Sequence, residues 1–196
     1  MKYTKYYLLT IGLILIDQAI KLATYYHFQV EGNYEPIFGD WFKLYYITNP
    51  GMAFGIELGG SYGKIVLSVF RLFAMGGIAW YLYVLAKRQM HPGLLWCVAA
   101  ILGGAMGNVV DSTFYGVTLD LVANGAPTPW FHGKVIDMFY FDICNCYVPE
   151  WVPFFGGDFY PLWPIFNFAD ASIFVSVCII LIYQKKFFVE KEEVKA

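Results

Sequence analysis

Four stretches of this chain, about residues 6–26, 65–86, 93–113 and 165–183, are apolar and long enough to cross a bilayer as helices. Such runs constrain the fold more than any motif, because backbone groups in hydrocarbon must bond within the segment, and a single span must therefore be helical. Of the 196 residues, 59% are apolar and 14% charged, with a mean hydropathy of +0.53, which excludes a soluble domain of this size. The expected fold class is an all-α membrane protein: a four-transmembrane-helix bundle with a small extracytoplasmic β element and an interfacial loop segment. It forms one integral membrane domain over 1–196, with outer connections at 27–64 and 114–164. The first run reads as a retained anchor, since Asp17 and Lys21 interrupt it and no small-residue cleavage site follows.

Orientation follows from the basic residues flanking the spans. Lys2, Lys5, Lys87, Arg88, Lys185, Lys186, Lys191 and Lys195 fall on one side, whereas the long connections hold Lys43, Lys64 and Lys134. Both termini and the 87–92 turn are therefore expected in the cytoplasm. Net charge is −2 and no basic tract occurs, so no nucleic-acid partner is expected.

The polar residues inside the spans carry the functional signal, because an ionisable group in hydrocarbon costs at least ~2.5 kcal/mol. Asp17 and Lys21 stand at i and i+4, acid before base, the order of a same-face ion pair that neutralises two buried charges. Arg71 in the second span either snorkels to the interface or pairs with an acid in the bundle. In the third span Gly103 and Gly107 make a small-residue face for close helix approach, while Gly104, Asn108 and Asp111 share one side. Asn108 alone could be interhelical glue; with Asp111 at the end of a Gly-lined face it points to a cavity. The last span carries Asn167 and Asp170 one helical turn apart. Counted at about 1.5 Å per residue, Lys21, Arg71, Asp111 and Asp170 share one layer, about a turn or two below the outer surface.

The outer connections supply the rest. Residues 40–48 and 134–141 read as strands, the second placing Asp137 beside the bilayer, and Asn49-Pro50-Gly51 is a turn that holds Asn49 just outside the membrane. The many aromatics of 114–164 favour the headgroup zone. His27, His91 and His132 are scattered, so no metal site is expected, and no Gly-x-Ser-x-Gly elbow occurs. No cofactor is expected. What remains is carboxylate chemistry: of two adjacent aspartates one keeps its proton while the other activates water, a pattern suited to peptide hydrolysis at the membrane face. The residues alone leave both Asp111 and Asp137 open as the partner of Asp170.

Asp17-Gln-x-x-Lys21, Asn49-x-Gly51-x-Ala-Phe54, Gly103-Gly-Ala-x-Gly-Asn108-x-x-Asp111, Val135-Ile-Asp137 and Phe166-Asn167-x-Ala-Asp170 resemble, in order, the motifs of the lipoprotein signal peptidase (signal peptidase II) family. The resemblance implies an aspartyl endopeptidase of the bacterial inner membrane, with its active site near the outer leaflet and globomycin as an inhibitor. Its substrate would be a diacylglyceryl-modified prolipoprotein, cut just before the lipidated cysteine, with membrane lipid as the other partner and the enzyme expected as a monomer. Asp137 and Asp170 would be the catalytic pair. Asn49, Gly51, Asn108, Asp111 and Asn167 would hold substrate or position the pair, with Asp17 and Lys21 in support. The chain departs from the family at Ser112, where an Arg is usual, with Arg71 and Lys134 as candidates to replace it, and in longer stretches on both sides of Asp137. Two other readings compete: a thiol oxidoreductase using Cys144 and Cys146, and a small transporter using the intramembrane charges as a path.

Overall fold

The computed structural model describes residues 3–50, 60–123, 125–143, 145–147, 150–151, 159–161 and 164–188. Gly51 and Cys144 lie outside the described residues, as does the side chain of Cys146. The first helix, α1 (Thr4–Phe28), stops where Gln29 turns left-handed at φ 57 and bonds back to Tyr25 O. Two strands follow, β1 (Tyr34–Phe38) and β2 (Phe42–Asn49). Then come α2 (Gly60–Lys87) and α3 (Pro92–Val110), the latter widening into a π-helical turn over Asp111–Tyr115 and a short α4 (Gly116–Thr118). The chain continues through β3 (Val135–Phe141), the paired short strands β4 (Asn145–Tyr147) and β5 (Phe159–Pro161), α5 (Phe168–Ile182) and α6 (Gln184–Phe187).

Among the described residues three helices are long and apolar enough to cross a membrane: Thr4–Phe28, Ile65–Lys87 and Pro92–Thr118. The run at 165–183 is helical as α5 over 15 residues, a rise of about 22 Å against a hydrocarbon core of about 30 Å. It starts late because Phe166 is engaged by β3 and Asn167 is the helix cap.

α3 is the central helix and packs on α1, α2 and α5. Without a water-driven force between helices in lipid, close contact depends on small residues. A Cβ on Gly103 would meet Thr10 O and Leu13 of α1; one on Gly104 would strike the Ala169 carbonyl of α5. Thr10 Oγ1 donates to Ala99 O at 2.9 Å across the same seam. The expected small-residue face is thus in contact on both sides.

The two ends of the bundle differ. At one end Lys5 lies over the Trp96 ring, His91 stacks on Phe187, and Leu82, Leu85, Leu94, Leu95 and Leu102 form an apolar core. Lys87, Arg88, Lys185 and Lys186 therefore collect at the end that holds the chain start. At the other end sits the antiparallel sheet, in the order β1-β2-β3, over a cluster of Tyr46, Tyr115, Ile136 and Met138. β2 and β3 were expected at nearly these positions. β1 was not, because as an edge strand containing Pro36 and exposed throughout it shows no in-out alternation.

Candidate active site

The site begins with a backbone join. Phe166 bridges to Phe139 of β3: Phe139 N donates to Phe166 O at 2.8 Å, Met138 N to the same oxygen at 3.1 Å, and Phe166 N returns a bond to Phe139 O at 3.1 Å. This lays β3 against the start of α5. Strand alternation then separates the side chains, with Ile136 and Met138 buried in the core beneath the sheet and Asp137 on the opposite face. Asp137 thereby meets Asn167, whose Nδ2 donates to Asp137 Oδ1 at 2.7 Å. Asn49, at the end of β2, lies diagonally across the ladder and donates from Nδ2 to Asp137 Oδ2 at 3.1 Å.

Asn167 also caps α5. Its backbone is extended, and its Oδ1 accepts from Asp170 N at 2.9 Å, which satisfies one of the free N–H groups of the first turn. Asp170 sits in that turn, where the helix dipole favours a negative charge. Asn108 of α3 donates from Nδ2 to Asp170 Oδ1 at 2.7 Å, and its own Oδ1 accepts from Asn167 at 3.1 Å.

Beneath these amides lies a buried charge cluster. Lys21 is fully buried and pairs with Asp17 Oδ2 at 2.8 Å and Asp111 Oδ2 at 2.6 Å, while its Nζ donates to Asn108 Oδ1 at 2.8 Å. Asp17 reaches α5 as well, since its Oδ1 accepts from Ala169 N at 3.0 Å. A buried ion pair survives only when much of its remaining hydrogen-bonding capacity is also used, and here Asn108 Oδ1 and Ala169 N take up part of that demand. The i, i+4 pair read from the sequence is therefore present, and it extends to a third helix.

Burial, with the negative charge of Asp170 second, pushes the Asp137 carboxyl up to about 7; the hydrogen bonds from Asn49 and Asn167 and the charge of Lys21 work against that rise. Asp111 faces Lys21 and Gln18 rather than Asp137. Arg71 of α2 is partly buried and lies within electrostatic reach of Asp170. Lys134 opens the strand side, its backbone N–H held by Leu121 O at 2.8 Å.

Eight of the nine residues singled out in the sequence, Asp17, Lys21, Asn49, Asn108, Asp111, Asp137, Asn167 and Asp170, form one connected network; the ninth, Gly51, is outside the described residues. Two residues named in the sequence without a role in the site also join it. Gln18 donates to Asp111 Oδ1 at 2.8 Å and to Gly107 O at 3.2 Å, and its Oε1 accepts from Tyr115 Oη at 3.0 Å. The available signal was Gln18 standing at i, i+3 to Lys21. Ser112 is fully buried, with Oγ donating to Asn108 O at 3.0 Å.

Among the described residues, no group of three or more His, Cys, Asp or Glu is placed to hold a metal ion. Each histidine has a local partner: His91 accepts from Gly93 N, His27 meets Glu35, and His132 lies 2.9 Å from Trp130 O. Cys97 and Cys178 are free within helices. The buried acidic and basic side chains that are described, Asp17, Lys21, Asp111, His132 and Asp137, all lie toward the sheet end, opposite the apolar core, an arrangement ill suited to a path through the whole membrane.

Residues 9–186 match the family model described as signal peptidase (SPase) II. The lipoprotein signal peptidase of Amoebophilus asiaticus (strain 5a2) is 42% identical over 184 residues, covering 92% of this chain and 78% of that protein. The lipoprotein signal peptidase of Porphyromonas gingivalis (strain ATCC BAA-308 / W83) is 36% identical over 185 residues, covering 89% and 80%. A solved structure described as a bacterial membrane enzyme, at 2.3 Å resolution, superposes with a TM-score of 0.60 over 98% of this chain and 94% of that one, at 22% identity. The likeness to that structure is one of fold.

Proposed function

The chain belongs to the signal peptidase II family of membrane peptidases, and from that premise we propose that it removes signal peptides from diacylglyceryl-modified prolipoproteins, cutting just before the lipidated cysteine, with Asp137 and Asp170 as the catalytic pair. The observation that carries this reading is Asn167, which donates to Asp137 while its other end binds the backbone of Asp170. No comparable amide joins Asp111 to Asp170 among the described contacts, and Asp111 is committed to Lys21. This favours Asp137 as the partner.

The pair carries one proton near neutral pH, because a second negative charge beside the first is costly in a buried site. The ionised member takes a proton from water as the water oxygen attacks the carbonyl carbon before the cysteine. The protonated member gives its proton to the carbonyl oxygen, forming a neutral gem-diol. Proton transfer to the cysteine nitrogen and cleavage of the C–N bond then release the signal peptide and restore the pair. The elevated Asp137 carboxyl suits it to hold a proton at working pH.

The fourth span, residues 165–183, is α5 with its flanks, and the sheet end faces outward. In support, Lys87, Arg88, Lys185 and Lys186 lie at the opposite end, as the bias of basic residues toward the cytoplasm requires. Both termini are then cytoplasmic, and the acyl chains of the substrate stay in the outer leaflet while the scissile bond reaches the polar network. A cleavage assay on diacylated and non-acylated precursor tests the substrate class: cleavage is expected only with the lipid, and equal rates would contradict it.

A further inference from the structure

We infer that Lys21 is a positioning residue of the reaction: through Asn108 it sets which way the amide groups face the two carboxylates. The inference rests on the reading of Asp137 and Asp170 as the reacting pair.

An ammonium has three protons and no lone pair. Those of Lys21 meet three acceptors, Asp17 Oδ2, Asp111 Oδ2 and Asn108 Oδ1. Asn108 must therefore turn its carbonyl oxygen to Lys21 and its NH2 to Asp170 Oδ1, 2.7 Å away. The same logic holds at Asn167. A backbone N–H can only donate, so Asp170 N fixes Asn167 Oδ1, and the NH2 must point to Asn108 Oδ1 and Asp137 Oδ1. Two groups that only donate, one ammonium and one backbone N–H, thus orient both amides.

The consequence falls on the shared proton. Oδ1 of Asp137 and Oδ1 of Asp170 both accept from an amide, and Asp137 Oδ2 accepts from Asn49 as well. Among the described contacts Asp170 Oδ2 is the carboxyl oxygen to which no amide is directed, and the mobile proton is shared from that atom. Had Asn108 been free to rotate, its oxygen would face Asp170 and hold a proton on Oδ1, out of use. The charged and titratable groups around this assembly are Asp17 on α1, Asp111 and Tyr115 on the π-helical turn, Asp137 on β3, Asp170 on α5 and Arg71 on α2.

Asn108→Asp keeps the shape and the bond to Lys21 but turns an oxygen toward Asp170. The turnover rate at saturating diacylated precursor, corrected for the folded fraction, is expected to fall at least about tenfold, and the acidic limb of its pH profile to move up by about one unit or more, with KM little changed. Lys21→Met combined with Asp111→Asn, which removes one cation and one anion together, should move the same limb in the same direction. If both variants keep the wild-type limb and lose rate only in proportion to the folded fraction, Lys21 is merely structural. Asp137→Asn and Asp170→Asn are run alongside: full turnover in either removes the pair and this role with it, whereas inactive Asn variants with an unmoved limb remove this role alone.

Discussion

Asn167 holds Asp137 at 2.7 Å with one end of its amide and caps the helix that bears Asp170 with the other. These two duties separate by substitution. Asn167→Ser keeps an oxygen for the cap but loses the amide donor to Asp137, so cleavage should fall about a hundredfold or more with little change in stability. Asn167→Ala loses both and should in addition lower stability by about 1 kcal/mol. Cleavage rates and melting in detergent measure the difference; equal stability loss in the two variants would contradict the cap.

Replacing either carboxyl of the pair should stop the reaction. Asp137→Asn and Asp170→Asn are each expected to reduce turnover by at least about a thousandfold while the protein still inserts and melts cooperatively. Turnover within tenfold of wild type in one variant would remove that residue from the pair.

The raised Asp137 carboxyl has a cost in stability that depends on pH. Its ordinary value is 3.8 and burial takes it to about 7, so between these limits the folded protein binds more protons than the unfolded chain. Stability must therefore fall as pH rises from about 4 to 7, by an amount on the order of a few kcal/mol. Asp137→Asn carries no such group and should flatten this slope. Melting temperatures of both proteins across that range should converge at low pH and separate above it, with the variant higher; parallel curves would show that Asp137 ionises as it does in water.

The helix seams give a graded prediction. A Cβ on Gly104 would meet the Ala169 carbonyl, and one on Gly107 would come 2.5 Å from Asp17 Oδ2, so Gly104→Ala and Gly107→Ala should each cost about 1–3 kcal/mol. Gly76 and Gly77 of α2 have nothing within 4 Å of that position, and alanine there should be neutral or stabilising by up to about 1 kcal/mol. Thermal unfolding of the four variants checks the ranking.

Ser112→Arg tests the departure from the family pattern. Ser112 is fully buried and its hydroxyl bonds to Asn108 O, so a guanidinium placed there must displace packed neighbours and be desolvated. A loss of about 3–5 kcal/mol is expected, seen as failure to accumulate in the membrane rather than a gain in cleavage.

Three of the four transmembrane runs, and most of the residues that meet in the candidate site, were legible in the sequence because both leave one-dimensional traces. Apolar length gives helices, and ionisable residues counted from helix ends gave Lys21, Arg71, Asp111 and Asp170 a common depth. The proposed preference for Asp137 over Asp111 was not legible from the residues, because it rests on a pairing between Phe139 and Phe166, distant in sequence and made by backbone atoms that any residue possesses. The π-helical turn at Asp111–Tyr115 likewise has no residue signature, yet it accompanies the burial of Ser112. Gln18 stands in the first-span motif, but its bonds to Asp111 and Tyr115 cross to another helix and leave no trace in sequence spacing.

The Phe166 bridge has a mechanical consequence. Phe166 commits both its N–H and its carbonyl to β3, and the next residue begins the capped helix, so sheet and helix meet through a single peptide unit with no slack. A chain that pulls on β3 loads the cap of α5 directly. Alignment of the two carboxyls is thus a property of strand register, which a shift of one residue along β3 would abolish while leaving every helix in place.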